Sequence, residues 1–108
     1  MKFALVQMNP TVGALRENAA KIVRFAQEAA AAGADVAVFP EQALCGYPPD
    51  DLVLRPRFMD AVAAEAEKLA AALPPTLLAL VGVPVRESGQ LCNAALLFHG
   101  GKRVAMAR

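Results

Sequence analysis

Apolar residues recur along this chain with two different periods, and the alternation between them predicts the order of its elements. Over residues 13–32, Leu15, Ile22, Val23, Phe25, Ala26 and Ala29 or Ala30 fall at helical spacing, with Arg16, Glu17, Lys21, Arg24 and Glu28 on the opposite side. Gly33 then offers a left-handed stop. Ahead of that helix, residues 3–8 form a short apolar run closed by Asn9-Pro10. It reads as a central buried strand, because parallel strands covered on both faces lose their polar alternation. Residues 34–39 read as a second strand, parallel to the first across a right-handed helical crossover. Asp50 or Asp51 can cap a short helical turn through Leu54. Arg55-Pro56 then opens a helix with proline at its favoured first position, and Pro74-Pro75 ends it after about Leu73. Residues 76–85 predict a third strand, with Gly82 and Pro84 marking an irregular or edge-like end. A polar turn over 86–90 follows. Residues 91–98 and 102–107 flank His99-Gly100-Gly101, a hairpin signal because glycine accepts the positive φ of such turns.

This order describes an α/β fold in which a parallel start runs into an antiparallel hairpin, giving a mixed sheet with the helices on one face. The other face is expected to find cover from further residues or from a partner. With 108 residues, 56% of them apolar, the chain is long enough to bury the core of one small domain, and it contains no repeat or linker. The run over 104–108 reads as a strand in progress with no turn signal after it, so the sequence is expected to be part of something longer.

Charge narrows the partners. Eleven basic residues balance ten acidic ones without blocks of either sign, which points away from nucleic acid and anionic membrane. Cys45 and Cys92 have no metal-ligand spacing and form no disulfide framework, as suits a reducing compartment. The apolar start stops at Gln7, too soon for a signal peptide or a membrane span, and a cytoplasmic protein is expected.

The chemistry concentrates where the second strand ends. Its apolar run stops at Pro40 and hands over to Glu41, and the carboxyl ends of strands in open α/β sheets are where ligands bind. Glu41 has two readings: a loop carboxylate paired with an arginine, or a partly buried general base. Cys45 is close in sequence, but no neighbouring cation favours its thiolate, so a packed thiol is expected; Cys92 is read likewise. His99 reads as a turn residue, since its His-Gly-Gly context lacks a nucleophile elbow. Tyr47, the sole tyrosine, is either a loop anchor or a phenol that positions substrate. Residues 9–13 lack the glycines of a dinucleotide or P-loop site, and no cofactor is expected for this domain.

A resemblance adds partners to this reading. Gln7-Met8-Asn9-Pro10-Thr11-Val12-Gly13, Asn18, and Gly33 through Phe39-Pro40-Glu41 resemble the N-terminal half of the nitrilase (carbon-nitrogen hydrolase) superfamily. Within it, Gly46-Tyr47-Pro48-Pro49-Asp50-Asp51-Leu52, Arg55-Pro56-Arg57-Phe58, Cys92-Asn93-Ala94-Ala95 and Gly101-Lys102 look like the glutaminase domain of glutamine-dependent NAD synthetases. The resemblance implies a partial domain over 1–108, the first half of an αββα sandwich. It places the glutamate of a Glu-Lys-Cys triad on Glu41 and puts Tyr47 in the substrate pocket. It also implies that the triad lysine and cysteine lie beyond Arg108, with Lys102 too early to serve. The partners it implies are glutamine, a C-terminal synthetase domain using ATP and magnesium, and other copies of the chain in a homo-oligomer. Such a piece is expected to be inert alone. Ala14 stands where the family usually has a capping aspartate. The rivals are a stand-alone nitrilase-type amidase or carbamoylase, sharing Glu41, and a non-catalytic docking or oligomerisation module.

Overall fold

The computed structural model describes residues 1–11, 14–46, 55–87 and 89–107. Among these residues, five strands and two helices form one layer of each: β1 (Phe3–Leu5), α1 (Leu15–Ala31), β2 (Val36–Val38), α2 (Pro56–Ala72), β3 (Leu78–Glu87), β4 (Gln90–His99) and β5 (Lys102–Ala107). The short helical turn expected before Leu54 lies outside the described residues.

Both helices exist because one side of each is apolar at helical spacing. In α1 the buried positions are Asn18, Ala19, Ile22, Ala26 and Ala29, and in α2 they are Met59, Val62, Ala66 and Leu69. Pro56 starts α2, where its missing N–H has no helical partner to lose. Leu73 ends it in an extended conformation, as a residue before proline must. At the other helix end, Gly33 takes φ 87° while its N–H bonds Ala30 O and that of Ala34 bonds Ala29 O, the paired bonds of a Schellman motif. The start of α1 is less well finished. Ala14 occupies the cap and supplies no side-chain bond, as the missing aspartate implies.

The sheet runs in chain order, β1-β2-β3-β4-β5, with the first two pairings parallel and the last two antiparallel. A two-residue turn, Gly100-Gly101 with φ 65° and 80°, closes the β4–β5 hairpin. Positive φ at both positions matches the right-handed twist of the flanking strands. Strand alternation sorts the side chains. Ala37, Ala79, Val81, Val83, Ala94, Leu96 and Phe98 face the helices and are buried with Ile22, Ala26, Val62 and Leu69. Phe3, Leu5, Val38, Leu80 and Leu97 take the opposite face, by the register Leu5↔Val38↔Leu80↔Leu97.

Two strands differ here from the sequence reading. Among the described residues β1 lies at the edge of the sheet and pairs only with β2, and Phe3 and Leu5 are 60% and 79% exposed. A run apolar on both sides describes equally a central strand and an edge strand whose open face is apolar. The β3–β4 ladder, in turn, continues to Glu87↔Gln90, past the residues read as the end of the strand. Beyond Leu80, β3 has β4 on one side and no described strand on the other, where a proline such as Pro84 is tolerated.

The N-terminus is fixed to the β2 entry. Lys2 O accepts bonds from Asp35 N (2.8 Å) and Val36 N (3.2 Å), Lys2 N donates to Asp35 Oδ2 (2.7 Å), and Lys2 Nζ donates to Ala32 O (2.6 Å). A cation at the last carbonyls of α1 also complements the negative end of the helix dipole. None of the helices among the described residues is long and apolar enough to cross a membrane.

Candidate active site

Beyond Val38 the chain makes one more sheet-like bond, Phe39 N to Leu80 O at 2.9 Å, and then turns across β3. Residues 40–46 form this turn, closed by Ala43 N to Pro40 O (3.2 Å) and Gly46 N to Gln42 O (2.7 Å). It is seated on Gly82. A Cβ at that position would lie 2.8 Å from Gln42 N, 2.9 Å from Glu41 Cα and 3.1 Å from Pro40 O. Glycine is therefore required here by the approach of a second backbone, not by the end of a strand.

The turn divides its residues between core and solvent. Ala43, Leu44 and Cys45 are fully buried and Gln42 nearly so, whereas Glu41 is exposed. Gln42 reaches its inward direction through a left-handed backbone, φ 59°, an uncommon conformation for a residue with a side chain. Asn18, buried on α1, holds the turn from beneath. Its Nδ2 donates to Leu44 O (2.9 Å) and Thr11 O (2.7 Å), and its Oδ1 accepts from Thr11 N (2.8 Å). One amide thus joins the loop after β1, the first helix and the turn that carries Glu41.

A second polar set runs above the sheet. The Cys45 thiol donates to Gln42 Oε1 (3.3 Å) and approaches Gly46 O (3.3 Å). Gln42 Nε2 donates to Asn93 Oδ1, and Asn93 Nδ2 points to Glu41 Oε1 at 3.5 Å. Asn93 pairs with Pro84 across the ladder, two residues along from the Gly82↔Ala95 pair, so it projects from the same face as the seat of the turn. Burial pushes the Cys45 thiol up to about 11, opposed by a backbone hydrogen bond that favours the thiolate. Cys45 stays protonated at neutral pH and is a poor nucleophile.

The expectations for the site divide accordingly. Cys45 is the packed thiol anticipated, and Cys92 is half-buried on β4. Glu41 stands at the end of β2 as anticipated, but exposed rather than partly buried. Tyr47 lies outside the described residues. His99 closes β4 beside the hairpin turn, and Lys102 pairs with it. Lys102 is six ladder positions beyond Asn93, on the order of 20 Å at strand rise, too far to touch Glu41. Gln42 and Asn93 were not singled out from spacing, although Asn93 is the only polar residue in the run over 91–98. An open groove of about 810 Å³ between α2 and the β4–β5 hairpin includes Met59, Val62, Val83, Leu96, Phe98 and Met106 in its walls. Glu41 is not among them, so the candidate site rests on the side chains of the turn and not on this groove. No cluster of three or more His, Cys, Asp or Glu among the described residues could hold a metal ion.

Known proteins are similar to this chain in sequence and in architecture. The carbon-nitrogen hydrolase family profile matches residues 2–108. The glutamine-dependent NAD(+) synthetase of Synechocystis sp. is 46% identical over 106 residues, covering 92% of this chain and 19% of its own length. The crystal structure of a glutamine-dependent NAD(+) synthetase from Cytophaga hutchinsonii superposes with a TM-score of 0.89 at 22% identity, covering 96% of this chain and 18% of that one. A nitrilase-superfamily amidase from Nesterenkonia superposes at 0.81 with 21% identity, over all of this chain and 42% of its own. The chain therefore spans about a fifth of the length of the synthetases it matches.

Proposed function

The chain belongs to the carbon-nitrogen hydrolase family, and on that premise we propose that residues 1–108 form the N-terminal part of a glutaminase domain that releases ammonia for NAD synthesis. The observation that carries this reading is the exposed Glu41 carboxylate, held at the end of β2 by a turn that Gly82 and Asn18 fix in place. The 46% identity to a glutamine-dependent NAD(+) synthetase supports the choice of glutamine as substrate. The amidase likeness, at 21% identity, bears on the fold and favours no rival substrate.

In this mechanism Glu41 accepts the proton of a cysteine thiol, and the thiolate attacks the side-chain amide carbon of glutamine. The tetrahedral intermediate collapses as the C–N bond breaks, with the proton passing from Glu41 to the departing ammonia. Water then attacks the thioester, returning the thiol and releasing glutamate. The nucleophile comes from outside residues 1–108: Cys45 is buried and protonated, while Cys92 projects from the face of β4 opposite to Asn93. The triad lysine comes from outside as well, and Tyr47 joins the substrate pocket. Ammonia passes to a C-terminal synthetase domain, whose ATP and magnesium drive amide formation.

The test compares glutamine hydrolysis by residues 1–108 with hydrolysis by the full-length protein. The short chain is expected to release no ammonia and the full-length protein to release it in step with NAD formation. Ammonia release by a clean preparation of the short chain would overturn the assignment of the nucleophile.

A further inference from the structure

Asn93 is 52 residues from Glu41 in sequence, and the two meet because the β3–β4 register carries Asn93 to the seat of the Glu41 turn. We propose that Asn93 is a positioning residue for the Glu41 carboxylate and that Gln42 sets the direction of its amide; this rests on the reading of Glu41 as the proton acceptor. The polarity of the chain of bonds makes the case. A carboxylate only accepts, so Asn93 must present Nδ2 to Glu41 and therefore Oδ1 to Gln42. Gln42 must then present Nε2 to Asn93 and Oε1 to Cys45, whose single S–H has Gln42 Oε1 and Gly46 O within 3.3 Å. Every amide in the series has one orientation that satisfies both neighbours, and the donor at its far end is the protonated thiol that burial enforces.

Gln42 is 6% exposed and Cys45 fully buried, so the inner end of the series is shielded from water, while Asn93 and Glu41 at its outer end are exposed. Gln42 is also the residue with the left-handed backbone, the conformation that sends its side chain inward while Glu41 points out. An exposed glutamate otherwise samples several rotamers, and a fixed donor on one side restricts that choice. The Asn93–Glu41 distance of 3.5 Å is long for a hydrogen bond, as such bonds are before substrate closes the site.

The decisive variant is Asn93→Asp in the full-length protein. It keeps the shape and the acceptor for Gln42 Nε2, and replaces the donor facing Glu41 with an oxygen. Steady-state glutamine hydrolysis and thermal melting are measured for Asn93→Asp, Asn93→Ala and Glu41→Gln. Loss of kcat by about 10- to 100-fold in Asn93→Asp, at a KM within about two-fold, is expected, with Asn93→Ala no worse. A purely structural Asn93 gives the reverse order, with Asn93→Asp near wild type because the bond from Gln42 survives, and that result overturns the proposal. If Asn93→Asp does not melt cooperatively, Asn93→Ala decides: kcat down about 10-fold at constant KM supports positioning, and unchanged kcat refutes it. Glu41→Gln separates the two levels. If Glu41→Gln turns over normally, the base assignment falls; if it is inactive while Asn93→Asp is normal, only the role of Asn93 falls.

Discussion

Replacing Gly82 with alanine puts one methyl group against three backbone atoms at once. The new Cβ would lie 2.8 Å from Gln42 N, 2.9 Å from Glu41 Cα and 3.1 Å from Pro40 O, where ordinary contact begins near 3.4 Å. All three belong to the turn that carries Glu41, and none is a flexible side-chain end that could swing aside. The turn must therefore move by about half an ångström, or β3 must bend while still paired to β4. Overpacking of this kind costs about 1–3 kcal/mol, and for a chain of this size each kcal/mol lowers the melting temperature by roughly 4–8 °C. On the proposed role of Glu41, displacing its Cα is expected to lower turnover as well, since a misplacement approaching 1 Å can reduce turnover by about 100-fold. Urea denaturation of the 108-residue chain measures the first effect through the midpoint at constant slope. Glutamine turnover by the full-length protein measures the second. A Gly82→Ala chain whose urea midpoint matches wild type, in a protein with undiminished turnover, would refute the seating of the turn on β3.

Two further outcomes follow from the same packing. Removing the Asn18 amide with Asn18→Ala leaves Thr11 N and Leu44 O without their partner, while Thr11 O keeps the bond from Ala14 N, and a loss on the order of 2 kcal/mol in denaturant unfolding is expected. Asn18→Asp, which sets a carboxylate against two carbonyls, should not restore it. For Cys45, the folded pKa of about 11 lies above the unfolded value of 9.0, so its contribution is complete below pH 9 and is lost as pH rises from 9 through 11. The loss is on the order of 2 kcal/mol, and Cys45→Ala should flatten that part of the stability–pH profile; an unchanged slope would mean the thiol is not buried as described.

Much of the architecture was legible because local signals govern it. Helical spacing located α1, the prolines at 56 and 74–75 bracketed α2, Gly33 marked a boundary the structure keeps, and Gly100-Gly101 fixed the hairpin through its φ requirement. The edge position of β1 among the described residues was not legible, because composition cannot tell an apolar edge strand from a central one. Gly82 looked like a strand end for a similar reason: its local signal is the absence of a side chain, and the cause is the backbone of residues 40–42, far earlier in the chain. Glu41 could be found from the end of an apolar run. Its neighbours Gln42 and Asn93 could not be joined to it, because their contact depends on a register set by the β3–β4 ladder.

The role of Glu41 is the point on which the functional reading stands. In the full-length protein, Glu41→Gln keeps the shape of an exposed side chain and removes its capacity to accept a proton, while leaving the turn's anchors at Gly82 and Asn18 in place. NAD formation is measured with glutamine and, separately, with ammonia as the nitrogen source. Loss of glutamine-dependent synthesis with ammonia-dependent synthesis intact is the expected result; glutamine-dependent synthesis at the wild-type rate would contradict the account.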